Sequence, residues 1–400
     1  MISPDKALSL IAERVQPLGA ERVPLDEAAG RVLAEDLHAA QDLPPFDNSA
    51  MDGFAVRLLD CGAEAGATLP VVETVRAGER GRPKLGPGQA IRIMTGAPLP
   101  EGTDTVVPKE ATEGGDATVK LLRRPTLGAH IRRRGEDVRA GAQLLRKGVR
   151  LRPYEIALLA AQGEERVAVI RRPRVSVLVT GDELTSGSSE RSFGLIPNSN
   201  GPALCAAVAR WGAAPVPHGV APDEPAELKA ALRRALDAAD ALLVTGGVSV
   251  GDFDFTRSAL LELGMELVFW KVAIKPGKPL LFGLWQGKPV FGLPGNPVAA
   301  IVCAEEFARP ALERLQGHSP KHQSYHLTGT ALNDYSSPED RLQYLFCRAR
   351  GRDAGYELEI IRPQGSAMLG MACGADALAL SPLGKGRIRA GDQLAFRWLK

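Results

Sequence analysis

The chain has 400 residues, with 49 Lys+Arg against 47 Asp+Glu and a formal charge of +2. At about 150 residues per domain that length suggests two or three domains. Hydrophobic residues at 44% and charged residues at 24% exclude a generally disordered chain, and the near-neutral balance argues against nucleic-acid binding.

The N-terminus, Met1-Ile2-Ser3-Pro4-Asp5-Lys6, lacks the basic-then-apolar pattern of a secretory signal. No apolar run approaches the ~18 residues of a membrane span. A cytoplasmic protein without a membrane partner is expected. Cys61, Cys205, Cys303, Cys347 and Cys373 are scattered with no CxxC pair. They predict buried reduced thiols, not a disulfide framework or a zinc site. His322 and His326, spaced i,i+4 near Pro320, have no carboxylate or cysteine companion and read as linker residues.

In chain order, the first element is a helix. Ser3 can cap it, Pro4 suits its first position, and Leu8, Ile11 and Val15 recur at helical spacing. From Leu43 to about Arg139 the pattern changes to short β-like runs, 69–75, 90–94 and 117–122, separated by Gly and Pro turns. A helix over 153–163, with Ile156, Leu159 and Ala160 on one face, is expected to belong with the N-terminal helix, making the β segment an insertion. Strands at 175–180, 216–220 and 241–245 then alternate with helices. One helix runs through Leu204 and Val208, one from Pro225 carries Leu228, Leu232 and Leu236, and one spans 255–263 before Gly264. Alternation of this kind predicts a mostly parallel sheet with helices on both faces. After about His318 short strands return, ending over 393–399. Arg-Ala-Gly-x-Gln-Leu occurs at 139–144 and again at 389–394, which predicts a shared turn-to-strand device and not a solenoid repeat.

Open α/β sheets bind ligands beyond the carboxyl ends of their strands. Four loops are expected there: 180–183 (TGDE), 245–251 (TGGVSVG) followed by Asp252 and Asp254, 275–279 (KPGKP) and 292–297 (GLPGNP). Glycines let backbone N–H groups approach a ligand, and a glycine-rich loop opening onto a helix N-terminus favours an anion. The second and fourth loops fit that description. Neither a Walker A motif nor the Rossmann fingerprint is present. Taken singly, Asp254, Asn296 and Asn200 read as helix caps worth about 1 kcal/mol each. Capping does not explain Lys275 and Lys278 set in a Pro-Gly turn, or acidic groups gathered at the same sheet edge. Together they point to an anionic, phosphorylated ligand and to Mg²⁺, which combines few carboxylates with phosphate oxygens. In the β segment, 44–56, 93–98 and 132–137 are dense in polar and turn residues, and the run 132–134 reads as a solvated face.

Seven stretches in order carry a resemblance to a known family: 46–56 (FDNSAMDGFAV), 93–98 (IMTGAP), 133–137 (RRGED), 180–184 (TGDEL), 246–252 (GGVSVGD), 274–279 (IKPGKP) and 292–298 (GLPGNPV). The chain resembles the molybdopterin molybdenumtransferases, the molybdenum insertases of the MoeA type, over nearly its whole length. The resemblance implies an α/β multidomain protein of four parts. Domain I (1–43 and 140–170) is elongated, discontinuous, helical and dimer-forming. Domain II (44–139) is the inserted β domain. Domain III (171–317) is the α/β molybdopterin-binding domain with a parallel-type sheet, and domain IV (318–400) is a C-terminal β domain. It also implies a homodimer, with each active site formed by domain III of one subunit and domain II of the other.

The implied reaction inserts molybdenum from molybdate into adenylylated molybdopterin, releases AMP and leaves the metal on the dithiolene sulfurs, with Mg²⁺ as cofactor. By similarity, Lys275, Lys278, Ser249, Arg348 and Ser366 receive the oxyanion. Hydrogen bonds to charged groups are worth roughly 1.5–3 kcal/mol each, so several are needed to desolvate molybdate. Glu183, Asp223 and Asp254, with Asp52 and Asp137 from domain II, are the matching acidic positions, and Glu183 and Asp254 are the expected metal ligands. Lys271 and Thr95 match further catalytic positions. Asp182, Asn200, Gly246, Gly247, Asp252, Pro294 and Pro297 match the substrate pocket. Residues 197–200 read Pro-Asn-Ser-Asn where relatives often have Asp-Thr-Asn, which leaves Asn200 as the ligand contact. The Ser- and Gly-rich stretch 185–192 reads as a mobile loop.

Three competing readings share parts of this pattern. A stand-alone adenylyltransferase would lack domains I, II and IV. A receptor-clustering scaffold would need fused domains that 400 residues leave no room for. A nucleotide sensor would need neither the lysine turn nor the domain II acids. An adenylyltransferase and molybdenum enzymes are the implied protein partners. Asp254→Ala is expected to abolish AMP release while leaving the melting temperature unchanged.

Overall fold

The computed structural model describes all residues except 80, 186–192, 248–254, 320–324, 354 and 400. By internal contacts it divides into two units, one of Met1–Glu21, Gly30–Val32 and Val169–Lys400, the other of Arg22–Ala29 and Leu33–Ala168.

In the first unit the N-terminal helix is Pro4–Arg14. The Ser3 side chain accepts the Lys6 N–H, and Ala7 and Ile11 are buried. That face packs on the helix Arg309–Leu315. The α/β sheet has six strands, ordered Ala214–Ala221, Arg174–Thr180, Ala241–Thr245, Lys288–Leu293, Leu281–Trp285 and Glu266–Trp270. The first three pairings are parallel and the last two antiparallel, so the sheet is mostly parallel, as expected, with an antiparallel edge. The cause is local. Gln286 (φ 51°) and Gly287 (φ 80°) form a two-residue connection with both centres left-handed, the tight turn that joins antiparallel strands. Apolar side chains cover both faces, with Val175, Val177, Leu243 and Phe291 on one and Leu178, Leu242, Val244 and Val290 on the other. This is the period-2 alternation of a sheet buried on both sides.

A second six-stranded sheet forms the C-terminal part. It is built on Leu342–Arg352 and includes Leu327–Ala331, Gly355–Ile360, Ala377–Ser381 and Gln393–Trp398. Its remaining strand is Ile274–Lys275, contributed by the α/β part and paired in parallel with Leu342 and Gln343.

In the second unit a six-stranded sheet runs in the order Thr105–Pro108, Gly53–Val56, Ala90–Ile93, Thr68–Val75, Thr118–Leu121 and Thr112–Gly114. Phe54 and Val56 enter one core and Ala55 the other. The helix Pro153–Ala161 belongs to this unit and packs on the short helix Leu25–Glu27.

The recurring hexapeptide does make one device twice. Gly141 (φ 81°) and Gly391 (φ 95°) occupy the same left-handed position. The Ala140 N–H donates to Asp42 Oδ1 (2.8 Å), and the Ala390 N–H to Asp334 Oδ1 (3.0 Å). Gly141 N–H donates to the Ala39 carbonyl and Gly391 N–H to that of Ala331, each at 2.8 Å.

The cysteine expectation needs one correction. Cys61, Cys303 and Cys347 are buried, Cys205 is half-buried, and Cys373 is exposed. Burial pushes the Cys61 thiol up to about 11 and Cys347 up to about 12.

Candidate active site

The described parts of the four expected loops lie at one edge of the α/β sheet, where Thr180, Thr245 and Leu293 end their strands in adjacent register and Trp270 pairs with Leu281. Two cavities open there, of about 620 and 520 Å³, and share Pro279, Pro294 and Asn296 as a common wall.

The larger cavity is walled by Glu183, Asp223, Asn200, Gly246, Gly247 and Pro297, among others. Its floor depends on glycine. Gly246 has φ 92°, and a Cβ there would meet the hydroxyl and carbonyl of Thr180 at 2.5 and 2.6 Å. Only glycine accepts both the backbone angle and that approach. The Thr256 hydroxyl donates to the Gly246 carbonyl at 3.0 Å and holds the turn. Asp182 is exposed beside the larger cavity. Its Oδ1 accepts the Asp223 N–H at 3.0 Å and so fixes the loop that carries Asp223.

Two capping expectations are corrected. Asn200 begins the helix Asn200–Arg210 but does not cap it; Asn198 Oδ1 accepts the Gly201 N–H at 2.9 Å instead. Asn200, 6% exposed, donates from Nδ2 to the Gly295 carbonyl (2.8 Å) and the Thr245 hydroxyl (3.4 Å). Among the described residues its buried Oδ1 has no partner, an expensive omission unless a further donor arrives. Asn296 precedes the helix Pro297–Cys303 without a side-chain cap. Its Nδ2 donates to Ser366 Oγ at 3.1 Å. The Val298 and Ala299 N–H groups both donate to the Ser366 carbonyl, at 2.9 and 3.2 Å. The anion-site expectation for this helix start is thus corrected as well, because those donors are already taken.

The smaller cavity is cationic. Lys275, Lys278, Arg341 and Ser366 line it, with Tyr344 behind them. The parallel pairing of Lys275 with Gln343 brings the lysine turn against the C-terminal sheet. Arg348 does not reach either cavity. It stands in the strand opposite Glu359, with the guanidinium 3.7 Å from that carboxylate and more than half exposed. The arginine that the fold brings to this wall is Arg341, whose side chain is 27% exposed. Sequence reasoning missed it, because Pro338-Glu339-Asp340-Arg341 reads as a charged surface turn. Only the strand pairing at 274–275 reveals it.

Lys271 lies at the same sheet edge in a left-handed conformation (φ 70°). Its ammonium sits 3.8 Å from the centroid of the Trp270 ring, which Arg257 also covers at 4.0 Å. Lys271 lines neither cavity. Ser249, Asp252 and Asp254 lie outside the described residues, as does most of the stretch 185–192. In the second unit, the Thr95 N–H and hydroxyl both donate to Asp52 Oδ1 at 2.7 Å. Those bonds hold the Asp52 carboxyl below the usual carboxylate range. Asp137 is exposed, with its N–H donated to the Leu43 carbonyl.

Comparison with known proteins agrees with this arrangement. The MoeA N-terminal region (domain I and II) matches residues 2–163, the Probable molybdopterin binding domain matches 176–314, and the MoeA C-terminal region (domain IV) matches 328–397. A molybdopterin molybdenumtransferase of Haemophilus influenzae is 35% identical over 99% of this chain and 98% of its own length. One from Nostoc is 37% identical over 94% and 87%. A crystal structure of the molybdopterin biosynthesis MoeA protein from Pyrococcus horikoshii superposes with a TM-score of 0.83 at 32% identity, covering 100% of this chain and 99% of that one. On these matches and this fold, the chain belongs to the molybdopterin molybdenumtransferase family of molybdenum cofactor biosynthesis.

Proposed function

We propose that the enzyme takes adenylylated molybdopterin and molybdate, releases AMP, and leaves molybdenum on the dithiolene sulfurs. The observation that carries this reading is the pair of adjoining cavities, one walled by carboxylates and glycines and the other by cations. A substrate with an organic part and a phosphoanhydride fits the first, and a small dianion fits the second. The shared wall of Pro279, Pro294 and Asn296 keeps the two reactants next to each other, which lowers the entropic part of the barrier.

In the cationic cavity Lys275, Lys278 and Arg341 supply charge and Ser366 a hydroxyl, replacing part of the hydration shell of molybdate. Asn200 offers its unpartnered carbonyl oxygen to a donor on the pterin or nucleotide. Two carboxylates, Glu183 and Asp223, face the larger cavity, and no cluster of three metal-ligating side chains occurs among the described residues. That donor set suits Mg²⁺, which takes few carboxylates and completes its shell with phosphate oxygens and water. Glu183 would hold it together with Asp254. The ion would neutralise charge on the phosphoanhydride as its P–O bond breaks.

The family resemblance supports a cytoplasmic homodimer with domain boundaries near 43, 139, 170 and 317. In it, Asp52, Thr95 and Asp137 are the second subunit's contribution, and Lys271 acts from the rim. No helix among the described residues is long and apolar enough to cross a membrane. An adenylyltransferase supplying the substrate and a molybdenum enzyme receiving the product are the expected partners.

The test is AMP release from adenylylated molybdopterin and Mg²⁺ with and without molybdate. Release that depends on molybdate, with metal on the dithiolene, supports the reading. Tight binding without release would move the function towards carrier or sensor.

A further inference from the structure

One turn of helix lies behind the cationic cavity and contacts both the lysine turn and the C-terminal sheet. Between the helices Pro297–Cys303 and Arg309–Leu315 the backbone widens to a π turn over Ala304–Ala308, a rare form that recurs at functional sites. At its start, Cys303 is fully buried and its thiol lies 3.6 Å from the Gly277 carbonyl, to which it donates. Gly277 is the centre of the turn that carries Lys275 and Lys278. It has φ 109°, and a side chain there would run into Cys303 Sγ and Ile274. The Cys303 side chain is therefore the floor on which the lysine turn rests.

On its other side the same π turn presents two consecutive carboxylates to one guanidinium. Arg397, from the last strand, donates from Nη2 to Glu305 (2.6 Å) and to Glu306 (2.8 Å), and from Nε to Glu306 (3.1 Å). Tyr325 donates its hydroxyl to Glu306 at 3.0 Å. Side-chain exposures of Arg397 and Glu306 are 10% and 9%. A buried ion cluster is weak evidence for net stability, because desolvation offsets most of the attraction. It does fix geometry, since each charge tolerates only the place where its partners are. Arg397 belongs to the sheet whose strand Leu342–Arg352 carries Tyr344 and begins directly after Arg341.

We propose that the π turn, through Cys303 on one side and Glu306–Arg397 on the other, is the positioning element that sets the gap between the lysine turn and the Arg341 wall, and so the size of oxyanion accepted. Cys303, Glu306 and Arg397 touch no substrate and act through Lys275, Lys278 and Arg341. This rests on the oxyanion reading of the smaller cavity.

The test is calorimetric titration of the full chain with molybdate and, separately, with sulfate, a smaller dianion of the same charge. Variants are Cys303→Ala, Cys303→Ser and Glu306→Gln. Cys303→Ala removes the donor and the floor and is expected to weaken molybdate binding about tenfold, below the ~100-fold that a full ångström of misplacement can cost. It should narrow the molybdate-to-sulfate preference, raise KM for molybdate and leave kcat at saturation unchanged. Cys303→Ser keeps a donor and should recover most of the preference. Glu306→Gln should act in the same direction as Cys303→Ala. If Glu306→Gln does not fold, the cysteine pair decides. Wild-type preference in the folded Cys303→Ala protein, or equal loss for both anions, would overturn the proposal. A wild-type protein that binds neither anion would overturn the oxyanion reading beneath it.

Discussion

At the scale of residues, Asn200 and Asn198 separate ligand chemistry from capping, two roles the same residue type can fill. Asn198→Ala removes the helix cap and is expected to cost about 1 kcal/mol, with a smaller loss of substrate affinity than Asn200→Ala. Asn200→Ala removes two donated bonds and the orphaned oxygen. It should lower stability by about 1–2 kcal/mol and also weaken substrate binding, as read by thermal melts beside titration. Both asparagines were visible in the sequence, which offered Asn200 as a helix cap on its own and as the ligand contact by resemblance; spacing cannot tell that Asn198 is the one that caps. Glu155 gives a pH signature. Its carboxylate accepts the Arg152 guanidinium at 2.6 Å and the Arg152 N–H at 2.8 Å. The Arg152 side chain, first, and then that N–H hold Glu155 down to about 2 against an ordinary 4.5. The folded-state pKa is depressed, so this stabilisation is complete above pH 4.5 and is lost as pH falls towards 2. In urea titrations, the stability gap between wild type and Glu155→Gln should close across that window.

At the scale of elements, local rules carried far. The first helix starts where Ser3-Pro4 says it should, and Ser3→Ala is expected to destabilise by about 1 kcal/mol in chemical denaturation. The Arg-Ala-Gly turn was legible as a device because it demands a left-handed residue in a fixed place. Its aspartates, Asp42 and Asp334, were not legible, since each is nearly a hundred or nearly sixty residues from its turn. The antiparallel pair in the α/β sheet was missed because Gln286-Gly287 is a weak turn signal between two apolar runs. Those runs look alike whether their strands run parallel or antiparallel.

At the scale of the whole molecule, the cationic cavity exists only because Ile274–Lys275 adds a strand to the C-terminal sheet. Lys275→Ala and Arg341→Ala, from chain segments more than sixty residues apart, should each weaken molybdate binding about 10- to 100-fold, the equivalent of one charge-assisted bond. Arg348→Ala should change it little. Oxyanion titration checks all three. By itself the sequence determined the element types, the α/β class, the loops at the sheet edge and the family, because these follow from periodicity, turn chemistry and contiguous motifs. Tertiary structure alone decided which arginine meets the lysine turn and which asparagine caps the helix that starts beside the larger cavity. The first is a meeting of distant segments, and no local spacing encodes the register in which two strands pair.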